Sequence, residues 1–185
     1  GIPGTVGGAI FMNAGAFDVQ TSNVLEEIKV LDKEGKIKKF FKEELKMSYR
    51  SALIPDNSII IEATFICKKD KANKIFDKIK CFEKKRSRSQ PIKKATGGST
   101  FKNPKNRKAW KLIKDSGCEG MFVGKAKLSE MHSNFIINEG RCSSNDIETL
   151  GENIRKKVKD SFGVELEWEI KIIGSKKKYK RFFYD

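Results

Sequence analysis

Four short stretches of the chain carry residues whose type and spacing could do chemistry. The densest is TGGSTFKNP, Thr96 to Pro104, where Ser99 follows two glycines and Lys102 and Asn103 come soon after. Glycine lets another surface approach the backbone closely, so a hydroxyl, an ammonium and an amide could meet one ligand here. The plain alternative is a turn entering a strand. The pattern is not Gly-x-Ser-x-Gly, and a chain whose single histidine is His132 gives little support to a Ser-His-Asp triad. SYRSA, Ser48 to Ala52, sets Arg50 beside Tyr49 and reads locally as a solvated arginine. In LEWEIKIIG, Leu166 to Gly174, strand alternation puts Leu166, Trp168 and Ile170 on one face and Glu167, Glu169 and Lys171 on the other. Nothing local singles out Glu169 there. The fourth stretch, GIPGTVGGAIFMNAGAF at Gly1 to Phe17, is glycine-dense and almost uncharged. It predicts a buried loop wrapped around something flat or phosphorylated. It is not a P-loop, since no Gly-Lys-Ser/Thr follows, and it lacks the strand-to-helix GxGxxG of a dinucleotide turn.

The elements that must position these stretches are bounded by composition. The chain has 185 residues, 38% hydrophobic and 10% aromatic, enough for one domain or two small ones with a core. No apolar run approaches the roughly 20 residues of a membrane helix. No basic leader precedes an apolar segment, and the expected location is the cytoplasm. Cys67, Cys81, Cys118 and Cys142 share no metal-ligand spacing and read as reduced thiols, so no metal site is expected. The net charge is +15, much of it in Lys68 to Ser89 and Gly174 to Asp185. Few aromatics interleave with those lysines, so solvated helix faces explain them better than a nucleic-acid platform. The chain starts without Met in what reads as a loop, and an upstream segment is expected.

Asn23 to Lys42 reads as two strands joined by a turn at Lys33 to Lys36, and Asn57 to Lys69 as a β-branched strand. Ala72 to Arg88 places Ile75, Phe76, Ile79 and Phe82 at helical spacing, and Pro91 with the following glycines marks a boundary. Arg107 to Gly117 is a short helix stopped by Gly117, and His132 to Asn138 a buried strand. Ser143 to Gly163 is the clearest helix, capped by Ser144 or Asn145, with Ile147, Leu150, Ile154 and Val158 as its stripe. Val164 to Gly174 reads as a half-buried strand. Sheets and helices in both halves make an α+β protein.

In this order the pieces GIPGTVGGAIFMNAGAF, YR, QP, GGSTFKNP, AWKLI, SEMHSNFIIN, DI with a following Leu, and FGVELEWEIKIIG resemble the UDP-N-acetylenolpyruvoylglucosamine reductase family, in its shorter subtype. The resemblance implies the C-terminal part of an FAD-binding α+β domain over residues 1–85. A compact α/β substrate-binding domain would follow over 86–185. It also implies reduction of UDP-N-acetylglucosamine enolpyruvate to UDP-N-acetylmuramate in peptidoglycan precursor synthesis, with FAD as cofactor and NADPH as co-substrate. Gly1, Ile2, Pro3, Gly4, Thr5, Gly7, Gly8, Asn13, Ala14 and Gly15 match the flavin-binding region. Arg50 and Glu169 match positions that stabilise charge beside the substrate carboxylate, and Ser99 matches the proton donor. Asn103 matches a substrate contact, which Lys102 and His132 would join. A monomer that binds neither nucleic acid nor membrane is expected. The usual YR-x-S reads here as Tyr49-Arg50-Ser51-Ala52, and Lys125 and Met131 stand where glycine and lysine are usual. An upstream glycine-rich loop of the family has no counterpart in the chain. Three other readings remain: another FAD oxidoreductase, an incompetent fragment of this enzyme, or a basic nucleic-acid module.

Overall fold

The computed structural model describes residues 1–174, so the basic run at the C-terminal end lies outside them except for Gly174. The chain divides into two compact units, Gly1–Arg88 and the part from Ser89 onward. The boundary expected at residue 85 falls inside a helix that runs on to Ser89.

In the first unit a helix α1 (Val6–Phe11) leads into a two-residue hairpin, β1 (Gly15–Ala16) and β2 (Val19–Gln20). Three antiparallel strands follow: β3 (Leu25–Leu31), β4 (Ile37–Phe41) and β5 (Ile59–Phe65), with β3 in the centre. The expected turn forms between β3 and β4. Asp32 Oδ1 accepts from the amides of Glu34 and Lys36, both at 2.9 Å, the local bonding that suits Asp to a turn. Leu25, Ile28 and Val30 of β3 meet Ile10 and Leu45 in a small core. Helix α2 (Ala72–Ser89) forms as its periodicity predicts, yet none of its residues is buried. Ile75, Phe76, Ile79 and Phe82 remain 41–60% exposed, and Phe82 stacks on Phe17 with ring centroids 5.0 Å apart.

The second unit holds a four-stranded sheet in the order β6 (Ala95–Ser99), β9 (Phe135–Asn138), β8 (Ala126–Leu128), β7 (Phe122–Val123), with every pairing antiparallel. Helices α3 (Ala109–Asp115) and α4 (Ser144–Phe162) share its core. Leu150, Ile154 and Val158 are fully buried, and Ile147 packs at the core's edge, so the predicted stripe is the packed face. Both units mix helix and antiparallel sheet, and the fold is α+β as expected.

Four local expectations need correction. The cap of α4 is Ser143, not Ser144 or Asn145. Its extended backbone lets Oγ accept from Asp146 N–H at 3.1 Å, and Asp146 returns a bond to Ser143 N–H at 3.0 Å. The strand predicted from His132 begins only at Phe135. The opening glycine stretch is not a buried loop. Residues 1–6 are exposed, and Thr5 Oγ1 caps α1 through Gly8 N–H at 3.0 Å. Finally, Val164 to Gly174 is not a strand but makes one bridge, Trp168 to Phe101. A strand needs a run of backbone partners, and here Arg155 Nε takes the carbonyl of Leu166 at 2.8 Å. The side-chain alternation survives only to Trp168: Leu166 is buried and Glu167 exposed, but Glu169 and Ile170 are both partly buried and Ile172 is exposed.

Trp168 anchors this segment. Its indole N–H donates to Glu152 Oε1 at 3.0 Å, and its ring lies 4.9 Å from that of Phe101. It also packs so tightly on α4 that a Cβ at Gly151 would stand 2.0 Å from its Cη2. Only glycine fits under that ring.

Candidate functional site

In the second unit the GGSTFKNP stretch leaves β6 through a bulge between Thr96 and Ser99, where Gly98 has φ +88°. Ser99, partly buried, pairs with Phe135 of β9. The next three residues are held on both edges. On one, Thr100 N–H donates to Asn134 O at 2.8 Å, and the Asn134 side chain reaches Phe101. On the other, Lys102 N–H donates to Glu167 O and Glu169 N–H to Thr100 O, each at 2.8 Å. Two motifs nearly seventy residues apart thus lie backbone to backbone, with Glu169 opposite Thr100, next to Ser99.

The neighbouring side chains divide by task. Lys102 Nζ forms an ion pair with Glu167. Asn103 Oδ1 accepts from Ala109 N–H at 2.9 Å and so ties itself to the start of α3. His132 is partly buried, edge-on to Phe135 at 4.7 Å and to Trp110 at 6.5 Å. Burial holds its pKa below the usual 6.5. Its Nδ1 accepts from Asn134 N–H at 3.2 Å, which keeps the imidazole neutral with its proton on Nε2. Burial and this accepted bond both favour the neutral imidazole over the cation.

In the first unit Ser48 and Ser51 bridge across a two-residue turn, each amide bonding the other's carbonyl at 3.0 and 3.2 Å. Arg50 is the second turn residue, with φ +55°. A non-glycine residue in that region stores strain, which concentrates at functional positions. Its guanidinium lies over the Tyr49 ring at 4.8 Å, and Nη2 donates to Gly15 O at 3.2 Å. Asn13 ties this turn to the glycine stretch. It is fully buried, donates from Nδ2 to Ser48 O at 2.8 Å and accepts on Oδ1 from Ser22 N–H at 3.0 Å. Among the expected cofactor contacts it is the one that is fully buried.

The stretch itself fits a flat, partly apolar group. Ile2, Val6 and Phe11 are 46–57% exposed beside backbone that carries no large side chain at Gly1, Gly4, Gly7 and Gly8. An aromatic ring system would cover those side chains while the glycines admit close approach. Among the described residues no group of three or more His, Cys, Asp or Glu could hold a metal ion. No described helix is long and apolar enough to cross a membrane.

Sequence reasoning missed Asn134 and gave Asn13 only as part of the flavin-binding match, not as a structural tie. The available signal was an amide inside an otherwise apolar run, as in SNFIIN, where burial demands hydrogen-bond partners.

Residues 90–173 match the family described as UDP-N-acetylenolpyruvoylglucosamine reductase, C-terminal domain. The UDP-N-acetylenolpyruvoylglucosamine reductase of Gluconobacter oxydans is 45% identical over 176 residues, covering 95% of this chain and 58% of that protein. The same enzyme of Rickettsia conorii is 44% identical over 174 residues, covering 94% of this chain and 59% of that protein. A crystal structure of UDP-N-acetylenolpyruvylglucosamine reductase from Thermus caldophilus superposes with a TM-score of 0.80 at 33% identity, over 91% of this chain and 60% of that one. The chain thus spans somewhat under two thirds of the length of each. With two motif segments paired as one unit, the chain carries the UDP-N-acetylenolpyruvoylglucosamine reductase C-terminal domain at residues 90–173 and is similar to these reductases over nearly its whole length.

Proposed function

We propose that this chain supplies the substrate-binding domain and part of the FAD-binding domain of a cytoplasmic, monomeric enzyme. That enzyme reduces UDP-N-acetylglucosamine enolpyruvate to UDP-N-acetylmuramate with NADPH, a step in peptidoglycan precursor synthesis. The observation that carries this reading is the backbone pairing of the Ser99 and Glu169 segments. It sets Glu169 opposite Thr100, the neighbour of Ser99, and so supports a shared role for the two segments.

When bound, FAD supplies the two-electron relay from NADPH to the substrate's methylene carbon. The exposed glycine stretch would hold it through Gly1, Ile2, Pro3, Gly4, Thr5, Gly7, Gly8, Ala14 and Gly15. The chain's own residues serve the other half of the addition. Hydride on the methylene carbon leaves negative charge on the carboxyl-bearing carbon, spread onto the carboxylate as an enolate-like species. Arg50 can fork two parallel hydrogen bonds to that carboxylate, and Glu169 adds a hydrogen bond as the charge develops. Ser99 delivers the proton that completes the lactyl ether. A serine hydroxyl is a weak acid in water, so it serves only when held against a far stronger base. Neutral His132 donates from Nε2 to the substrate, beside Lys102 and Asn103.

The test separates the half-reactions. In anaerobic stopped-flow on the flavin-loaded enzyme, Ser99→Ala should leave flavin reduction by NADPH within about twofold. Flavin reoxidation by the enolpyruvyl substrate should slow by at least about a hundredfold. Reoxidation within about threefold of wild type would remove Ser99 from the donor role.

A further inference from the structure

Asn134 is 4% exposed and sits just before β9, and its Oδ1 and Nδ2 both bond one other residue. Oδ1 accepts from Phe101 N–H at 3.0 Å, and Nδ2 donates to Phe101 O at 2.8 Å. A carboxamide offers one acceptor and one donor in the same plane, as a backbone peptide does. Regular pairing of β9 with β6 ends at Phe135 opposite Ser99. Beyond it the Asn134 carbonyl still takes Thr100 N–H at 2.8 Å, and the Asn134 side chain carries the pairing one residue further, to Phe101. Phe101 is 1% exposed, so without this clamp both its N–H and its C=O would be buried unpaired on that edge.

The consequence falls on Ser99. Immediately before it lies the bulge at Gly97 and Gly98, where the ladder lapses, and Gly98 takes φ +88°. Immediately after it the backbone is fixed by Asn134 on one edge and by the segment of Glu169 on the other. The clamp therefore supplies the rigid end against which the bulge can be aimed. We propose that Asn134 is a positioning residue. It fixes the direction of the Ser99 hydroxyl and the register of the Ser99 segment against that of Glu169, without touching substrate. This rests on the proton-donor reading of Ser99.

The test compares wild type with Asn134→Ala in the complete flavin-loaded enzyme, using both half-reactions and amide hydrogen exchange. Misplacing a catalytic group by about 1 Å can cost about a hundredfold, so substrate-driven flavin reoxidation should slow by about tenfold to a hundredfold. Reduction by NADPH should stay within about twofold, and the apparent affinity for substrate within about threefold. Amide exchange should accelerate over residues 100–102 and stay unchanged in α4. Should the alanine variant not fold, Asn134→Asp, which keeps the acceptor for Phe101 N–H, takes the same measurements. Reoxidation within about threefold of wild type, or both half-reactions falling together, would overturn the positioning role. Wild type unable to turn over the enolpyruvyl substrate would instead overturn the reading of Ser99, and the role of Asn134 with it.

Discussion

The Ser48–Ser51 turn and the Ser99–Lys102 segment each carry a residue of the proposed chemistry, and each is tied down by a buried asparagine. They are held by opposite means. In the turn, Arg50 is forced to φ +55° and steadied by hydrogen bonds from Asn13 to Ser48 and from Arg50 to Gly15. In the segment, Gly98 takes the positive φ, and none of the residues from Ser99 to Lys102 does. Beneath the segment lies apolar weight: Phe101 is nearly fully buried against Trp168. One region keeps its functional residue in place at a cost in strain. The other does so by packing and paired backbone. Substitutions should therefore change stability in opposite directions.

The largest expected effect is at Arg50. Arg50→Gly removes the guanidinium and should slow substrate-driven reoxidation by at least about a hundredfold, the loss typical for one charge-stabilising donor. The same change relieves left-handed strain, so unfolding free energy should hold steady or rise by up to about 1 kcal/mol. Chemical denaturation of the variant checks this. A drop of more than about 1 kcal/mol would mean that the lost bond to Gly15 and the Tyr49 contact outweigh the strain, and the contrast between the regions would fail.

Next in size is Gly151→Ala. A Cβ there stands 2.0 Å from Cη2 of Trp168, so the ring or the helix must shift to admit it. Overpacking of this kind should cost about 1–3 kcal/mol in denaturant unfolding. Because Trp168 seats the segment that carries Glu169, turnover should fall as well. A variant within about 0.5 kcal/mol of wild type would show that the second region does not depend on this packing.

The smallest effect concerns pH. Burial lowers the pKa of His132 in the folded chain, so as pH falls the unfolded chain takes up its proton first. Stability from this group is full above 6.5 and declines as pH falls through that value toward the lower folded one. His132→Gln should flatten the slope of unfolding free energy between about pH 7 and pH 5. An unchanged slope would mean that the imidazole is as easily protonated folded as unfolded.

Much of the scaffold was legible in the chain. The stripe of α4 at Ile147, Leu150, Ile154 and Val158, the stop at Gly117, and the Asp32–Lys36 turn all depend on residues a few positions apart. Periodicity and turn chemistry report such contacts directly. The sides of residues 164–168 were also legible, because alternation belongs to extended backbone, but beyond Trp168 the alternation lapses. Whether that stretch became a strand was not, since Arg155, eleven residues away from Leu166, decides where the carbonyl bonds.

By itself the sequence determined the residue types of the candidate site and the elements that bear them: a serine after two glycines, an arginine beside a tyrosine, a glutamate in an alternating run. Only the tertiary structure decided that the Ser99 and Glu169 segments pair, that Arg50 sits in a strained turn, and that Asn13 and Asn134 are buried ties and not loop residues. The physical reason is the range of the interactions. Helix stripes and turns answer to neighbours in the chain, whereas a buried amide must find its partner across it. Asn13 finds Ser48 35 positions away, and Asn134 finds Phe101 33 positions away.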